Sequence, residues 1–308
     1  MKEDELIKIL NLKNVSFTNN NGKIEVNNKI KIPVNLYKYY SLNKNNINCI
    51  KNSTLFFSQA NLLNDILEGD FEKLWNFESF DKNTNILAEH KDYIKSRIPI
   101  YKKDFLRWRG VFSMSDNSKN ELLWIHYTNE SGFCLELDSN ELISSLNLNN
   151  KSNQDFYFPI TYCKTIKQVD FNRLFIDIKE TKRIDIKLAI LNCFAIKEYH
   201  WRYEKEWRIM LNRKKFNYFS EPTIILDDKT KLEEIDQLRG GNVEISRDVI
   251  KKIILAPLFF NNSRFNKCIK IYDKFEYEIY FFKNSEEGNL AKELLENLKN
   301  HHSDKIYQ

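Results

Sequence analysis

The sequence predicts an α+β fold: a core of short, mixed strands with helices on its flanks. Three observations carry that expectation. Strand-like runs such as Ser53–Ser58, Val111–Ser115 and Ile250–Leu255 are short, and the helical stretches between them lack the regular beat of a parallel strand–helix–strand sheet. The 308 residues are 42% hydrophobic and 30% charged, enough to bury a sizeable core in one elaborated domain or a core with appendages. Glycine occurs only seven times, and its one adjacent pair is Gly240-Gly241. Loops that cradle phosphates need clustered glycines so that backbone N–H groups can approach the ligand, and neither G-x-G-x-x-G nor G-x-x-x-x-G-K-[ST] occurs. Rossmann dinucleotide enzymes, P-loop NTPases and glycine-loop kinases are therefore set aside.

Taken in order, residues 1–35 read as an N-terminal appendage: a short helix at Glu3–Leu10, an Asn-rich stretch, and alternating segments ending at Pro33. The α+β core domain spans residues 36–283. It opens with the aromatic strand Asn35–Tyr40, after which Ile47 and Ile50 stand at helical spacing within Asn43–Asn52. Ser53–Ser58 is a strand of β-branched and aromatic residues, and Asn61–Ile66 is a turn opening a helix near Asp65. Residues 70–107 are charged, aromatic and helical, and Trp75 and the adjoining Trp108 are core anchors. Val111–Ser115 is a strand entered from Gly110. In the helix Ser118–Thr128, Ser118 and Glu121 have the spacing of a capping box, and Gly132 ends it. Phe133–Leu137 and Phe156–Cys163 follow as strands. Asp177–Lys197 is a helix, and Trp207–Leu211, Ile250–Leu255 and Glu276–Phe282 are the last strands. Residues 284–308 form an amphipathic C-terminal helix and a polar tail, with Leu290, Leu294, Leu295 and Leu298 turned to the core or to a protein partner.

Forty-eight basic and 43 acidic residues give a net charge of +5, which lysines on a solvated surface explain as readily as a nucleic-acid partner does. The five cysteines, Cys49, Cys134, Cys163, Cys193 and Cys268, are scattered, odd in number and without a C-x-x-C pair. Neither a disulfide framework nor a structural zinc site is expected. MKEDELIKIL lacks the apolar stretch of a signal peptide, and no apolar run is long enough to span a bilayer. The expectation is a cytoplasmic protein with no membrane partner.

Three clusters hold more polar residues among aromatics than packing requires. The first is Tyr37-Lys38-Tyr39, with Ser58 and Asn64-Asp65 after the second strand. The second is Trp124-Ile125-His126-Tyr127. The third is the run Tyr199–Arg208, in which Glu204, Glu206 and Arg208 fall two apart and so share one face of a strand. Two carboxylates and an arginine flanked by tryptophans read first as a structural ion-pair ladder and second as a catalytic carboxylate with its partners. His126 reads as a core imidazole or as a site residue. H-E-x-x-H is absent, so no metal is expected, and no G-x-S-x-G elbow presents a serine nucleophile.

The ordered series YKYY (37–40), LFFSQANLLND (55–65), VFSMS (111–115), ELLWIHYTNESGFCLELD (121–138) and YEKEWRI (203–209) resembles a bacterial family known as domain of unknown function 2971. The likeness runs over roughly residues 36–260. That family's N-D-P-F-E motif stands here as Asn64-Asp65-Ile66-Leu67-Glu68. A second resemblance, by motif order, is to ADP-ribosyltransferases. It implies a split sheet that binds NAD as substrate without a glycine-rich loop. Leu55–Ser58 is similar to their second element, and Glu206, opening a late strand, to their catalytic glutamate.

In that likeness an ionised Glu206 stabilises positive charge growing on the ribose as the nicotinamide bond breaks, and His126 orients ribose or activates an acceptor. Tyr37, Tyr39 or Tyr127 is placed to stack on nicotinamide, and Lys38, Arg202 or Arg208 to hold the pyrophosphate. Ser58, Asn64, Asp65, Trp124 and Glu204 complete the NAD contacts. The function it implies is NAD-dependent ADP-ribosyl transfer to nucleic acid or protein, as in a toxin or anti-phage effector. Two other readings remain open. One is a non-catalytic nucleic-acid-binding or interaction module, in which the aromatic and basic residues of Tyr199–Arg208 stack bases and neutralise phosphates. The other is a metal-dependent nuclease built from Asp65, Glu68, Glu204 and Glu206.

Overall fold

The computed structural model describes residues 12–20, 23–60, 63, 74–84, 86–107, 109–148, 155–166, 168–171, 186–212, 240–259, 265–271, 277–282, 285–301 and 306–307. They form a mixed α+β fold of short strands with flanking helices. Glu3–Leu10, Trp108, residues 177–185 and most of Asn61–Ile66, including Asn64 and Asp65, lie outside the described residues. Among those described, no helix is long and apolar enough to cross a membrane.

The chain begins with strands β1 (Val15–Asn20) and β2 (Lys23–Asn28), then β3 (Asn35–Tyr40), helix α1 (Lys44–Lys51) and β4 (Thr54–Gln59). The short β5 (Trp75–Asn76) precedes α2 (Glu78–Lys82), α3 (Ala88–Arg107) and β6 (Arg109–Ser115). Next come α4 (Glu121–Thr128), β7 (Phe133–Asp138), α5 (Ser139–Ser145), β8 (Phe156–Pro159), β9 (Thr161–Cys163) and β10 (Val169–Asp170). Helix α6 (Ile186–Phe194), β11 (Ile196–Glu198), a 3-10 helix at Tyr199–Glu204 and β12 (Glu206–Asn212) follow. The last elements are β13 (Gly240–Glu244), β14 (Ile250–Leu255), β15 (Phe265–Ile271), β16 (Tyr277–Phe282), α7 (Glu286–His301) and β17 (Ile306–Tyr307).

Two compact units share these elements. The first comprises 1–32, 56–113 and 148–243, and the second 33–55, 114–147 and 244–308.

In the first unit the strand order is β13–β4–β6–β12–β8, with β12 antiparallel to β8 from Trp207 opposite Pro159 to Met210 opposite Phe156. Helix α6 buries Leu188, Ile190, Leu191, Cys193 and Phe194, a helix apolar on nearly every side and therefore interior. The β1–β2 hairpin adds Val15 and Phe17, and the Phe17 ring meets Phe158 edge-on at 5.4 Å. Trp75 and Phe80 approach Phe171 edge-on.

The predicted strand Phe156–Cys163 is in fact two. Ile160 N–H donates to Glu206 O and Thr161 N–H to Ala195 O, so at that point the chain leaves β12 and pairs with β11. The predicted helix ending at Lys197 stops at Phe194 for the same reason, because Ile196–Glu198 runs parallel to Thr161–Cys163.

In the second unit the order is β6–β3–β7–β14–β17. β3 and β7 pair antiparallel from Asn35 opposite Asp138 to Tyr40 opposite Phe133. Strand β7 buries Phe133 through Leu137 consecutively, so the alternation read from its sequence is covered on both faces. Helix α4 begins two residues later than a cap at Ser118 requires. Its N-cap is Asn120, whose side chain accepts from the N–H groups of Leu122 and Leu123, an Asn being as good a cap as Ser. Nor does Gly132 end the helix. Asn129 does, in the left-handed conformation at φ 52, and Gly132 is small because a Cβ there would stand 2.0 Å from Tyr40 O. In α7, Leu294 and Leu295 are buried and Leu290 half-buried. The Leu298 side chain lies outside the description.

Candidate functional site

The run Tyr199–Arg208 breaks into two elements. Tyr199–Glu204 winds as a 3-10 helix, and Lys205 caps it in the left-handed region at φ 45, which turns the chain into β12 at Glu206. Glu204 therefore does not share a strand face with Glu206 and Arg208, as the two-residue spacing suggests. The left-handed Lys205 interrupts the extended backbone on which that spacing depends. Glu206 and Arg208 do share the face. The Arg208 guanidinium grips the carboxylate side-on, with Nε 2.5 Å from Oε1 and Nη2 3.0 Å from Oε2, while Nη1 donates to Phe194 O at 2.9 Å.

Glu204 rejoins the group through Lys197. Alternation along β11 turns Lys197 inward between half-buried Ile196 and Glu198. Its Nζ stands 2.8 Å from Glu204 Oε2 and 2.9 Å from Glu206 Oε2. The four charges cancel, and all four side chains are buried. Tyr162 Oη accepts from the Glu206 N–H at 2.8 Å, so the backbone of Glu206 is tied as well as its carboxylate. Burial works against the Glu206 charge, but Arg208 and then Lys197 outweigh it and hold the carboxyl far below the usual carboxylate range. Burial, and next the Glu206 charge, push the Tyr162 phenol up, so it stays protonated.

Outward from this cluster the 3-10 helix carries a ridge of rings. Its geometry stacks residues three apart. Arg202 accordingly lies over the Tyr199 ring at 4.3 Å, and Lys164 approaches the same ring at 5.5 Å. His200, Trp201 and Tyr203 continue as a chain of ring contacts at 5.0 and 6.0 Å. Lys197 stands 5.4 Å from the Trp201 centroid and joins the ridge to the buried cluster. Tyr199 is 39% exposed, and His200, Arg202 and Lys205 are exposed.

Beside Tyr199 opens a cavity of about 650 Å³. Leu74, Cys163 and Ile166 line it with apolar surface, Lys164 and Glu198 give it charge, and Thr165 and His200 add polar atoms. His200 Nδ1 is 3.2 Å from Glu198 Oε2. Neither Glu206 nor Arg208 is among its lining residues.

Of the other candidate residues, Ser58 falls in the first unit, half-buried on β4 opposite Val111. Tyr37, Lys38, Tyr39, Trp124, His126 and Tyr127 fall in the second unit. Tyr39 meets Trp124 edge-on at 5.0 Å, its Oη donates to Asn117 O at 2.6 Å, and Trp124 Nε1 donates to Ser118 O at 3.0 Å. Tyr37 lies opposite Glu136 on β7 and hydrogen-bonds the side chains of Ser118 and Asn35. Its phenol is raised by burial and by the Glu136 charge. Lys38 stands 5.9 Å from the Tyr40 ring centroid. His126 and Tyr127 are exposed on α4, so His126 is not the core imidazole that one reading expects. An eight-residue helix buries one side, here Leu123, Trp124 and Thr128, and leaves the intervening positions to solvent.

The sequence reasoning missed Lys197, Tyr162, Lys164 and Glu198. Lys197 had a signal: a lysine on the inward phase of a short strand that follows a largely apolar helix needs a buried carboxylate. Lys164 and Glu198 had none, because only the pairing of β9 with β11 brings them to one cavity.

Fold and site together define a mixed α+β protein with a neutral buried ion cluster beneath an exposed cation–aromatic ridge. Residues 123–209 match the family described as a protein of unknown function, DUF2971, and this match runs from within α4 through the ridge to the start of β12. No curated protein and no solved structure matches the chain.

Proposed function

We propose that this protein binds single-stranded nucleic acid along the Tyr199–Tyr203 ridge. The observation that carries the reading is Tyr199, an exposed ring with Arg202 at 4.3 Å and Lys164 at 5.5 Å. A base stacks on such a ring whatever its identity, and the adjacent cations meet the phosphates on either side. The buried cluster suits the role of a foundation. With both Glu206 oxygens held by Arg208 and Lys197, Glu206 fixes the start of β12 and hence the base of the 3-10 helix. Titration of labelled oligouridylate, followed by fluorescence anisotropy, tests the proposal. Binding should weaken as salt rises, should not require NAD, and should fall about tenfold or more in Tyr199→Ala, in line with about 1–3 kcal/mol per stacked base. Affinity that ignores both salt and Tyr199 would remove the proposal.

A second reading, NAD-dependent ADP-ribosyl transfer on a split sheet of the ADP-ribosyltransferase kind, is favoured by one observation: Glu206 opens β12 and is held ionised. In it the ribose C1′–nicotinamide nitrogen bond breaks, nicotinamide leaves with the bonding pair, and an acceptor on nucleic acid or protein bonds to C1′ as its proton passes to solvent. That reading needs Glu206 freed from Arg208 and Lys197 to face the ribose. Nicotinamide release from NAD that disappears in Glu206→Gln, with the fold retained, would place this reading first.

A further inference from the structure

The cavity beside Tyr199 has a composition that sequence-blind stacking on the ridge does not require. An acid and a base line it together with one ring: Glu198, Lys164 and Tyr199 share its wall with apolar Leu74 and Ile166, and Lys164 Nζ stands 5.5 Å from the Tyr199 ring. Glu198 and Cys163 are partners across β11 and β9, so the Glu198 carboxylate and the following Lys164 share one end of this short parallel pair. One Glu198 oxygen faces His200 Nδ1 at 3.2 Å. A carboxylate offers about four acceptor positions, so this contact leaves Glu198 able to take two further N–H donors.

We infer that this cavity reads a guanine base of the bound strand, an inference that rests on the ridge being a nucleic-acid surface. Guanine presents two neighbouring donors, N1–H and N2–H, on one edge and two acceptors, O6 and N7, on the other. Glu198 accepts from the donor pair, Lys164 donates to the acceptor edge, and Tyr199 stacks on the face. Adenine and cytosine place a ring-nitrogen lone pair beside their single amino group, and that lone pair repels the carboxylate. Uracil and thymine offer one N–H between two carbonyl oxygens, which repel it twice. The charge pattern of the cavity therefore discriminates where the ridge does not.

The test compares labelled oligouridylates carrying one central guanine, adenine or cytosine with the all-uridine strand, on the wild-type chain and on Glu198→Gln. The Glu198 side chain is 43% exposed, so the fold tolerates the change. The guanine strand should bind about tenfold tighter than the others, the scale of one good bidentate pair, and Glu198→Gln should remove most of that difference. Equal affinities for all four strands would overturn the inference and leave the ridge reading standing. So would a guanine preference that Glu198→Gln leaves intact, because the discrimination would then lie elsewhere. Failure of every strand to bind would overturn the ridge reading, and this inference with it.

Discussion

Glu206 and Arg208, two residues apart on β12, are locked in a side-on ion pair, both almost wholly buried, with Nε 2.5 Å from Oε1 and Nη2 3.0 Å from Oε2. Side-on pairing satisfies both carboxylate oxygens and two guanidinium donors at once, which is what makes a buried pair tolerable. Removing one partner leaves the cluster of Lys197, Glu204, Glu206 and Arg208 with a net buried charge. Arg208→Met should therefore destabilise the protein by about 3–5 kcal/mol, read from urea unfolding. Glu206→Gln with Arg208→Met should cost much less than the sum of the single changes, since no lone charge is left behind. Additive losses would show that the two side chains contribute separately.

The same pair sets an acid limit on stability. The folded Glu206 carboxyl lies well below its unfolded value, so its contribution is fully present above the unfolded pKa, about 4.3. That contribution drains away as pH falls from there toward the depressed folded value. Thermal melts should thus show little change from this group between about pH 5 and 7 and a decline below about pH 4 that weakens in Glu206→Gln. An equally steep acid decline in the variant would assign the effect to other carboxylates.

Gly132 tests the packing of β7 on β3. A Cβ there would lie 2.0 Å from Tyr40 O and 3.0 Å from the Ser41 Cα, both backbone atoms that cannot step aside as a flexible side chain can. Gly132→Ala should lower stability by at least about 1–3 kcal/mol, the usual penalty for overpacking, measured as a drop in the unfolding midpoint. An unchanged midpoint would mean that β3 and β7 separate there without loss.

Local chemistry was legible where it depended on near neighbours. Ile250–Leu255 and the strand opening at Glu206 follow from short β-branched and aromatic runs, and Ile47 and Ile50 mark α1 through spacing alone. What the sequence hid depended on partners far along the chain. Lys197 finds Glu206 only because the 3-10 helix folds the chain back, and the break at Ile160 exists only because β8 and β9 pair with different strands. Gly132 looked like a helix terminator, but its size answers to Tyr40, 92 residues earlier. The pair spacing of Glu204 and Glu206 misled because one left-handed residue, Lys205, is enough to break a period of two. The cavity residues Lys164 and Glu198 carry no local signature at all, since neither is unusual until β9 and β11 lie side by side.

Residues 1–35, which composition alone reads as an appendage, contribute to the core of the first unit. Within the first unit, the described part of this segment is the β1–β2 hairpin, and it buries Val15 and Phe17 completely or nearly so. Phe17 packs edge-on against Phe158 at 5.4 Å, and Asn14 Nδ2 and Asn28 Nδ2 donate to Ile160 O and Tyr157 O at 3.1 Å each. Those contacts tie the hairpin to β8, the strand that pairs with the start of β12. Phe17→Ala opens a cavity against Phe158 and should cost about 3–5 kcal/mol. Because β8 borders Trp207 and Arg208, the loss should also loosen the foundation of the ridge, seen as weaker oligouridylate binding at temperatures where the variant is still folded. A variant as stable as the wild type would mean that the hairpin is dispensable, and that residues 1–35 are an appendage in the energetic sense as well.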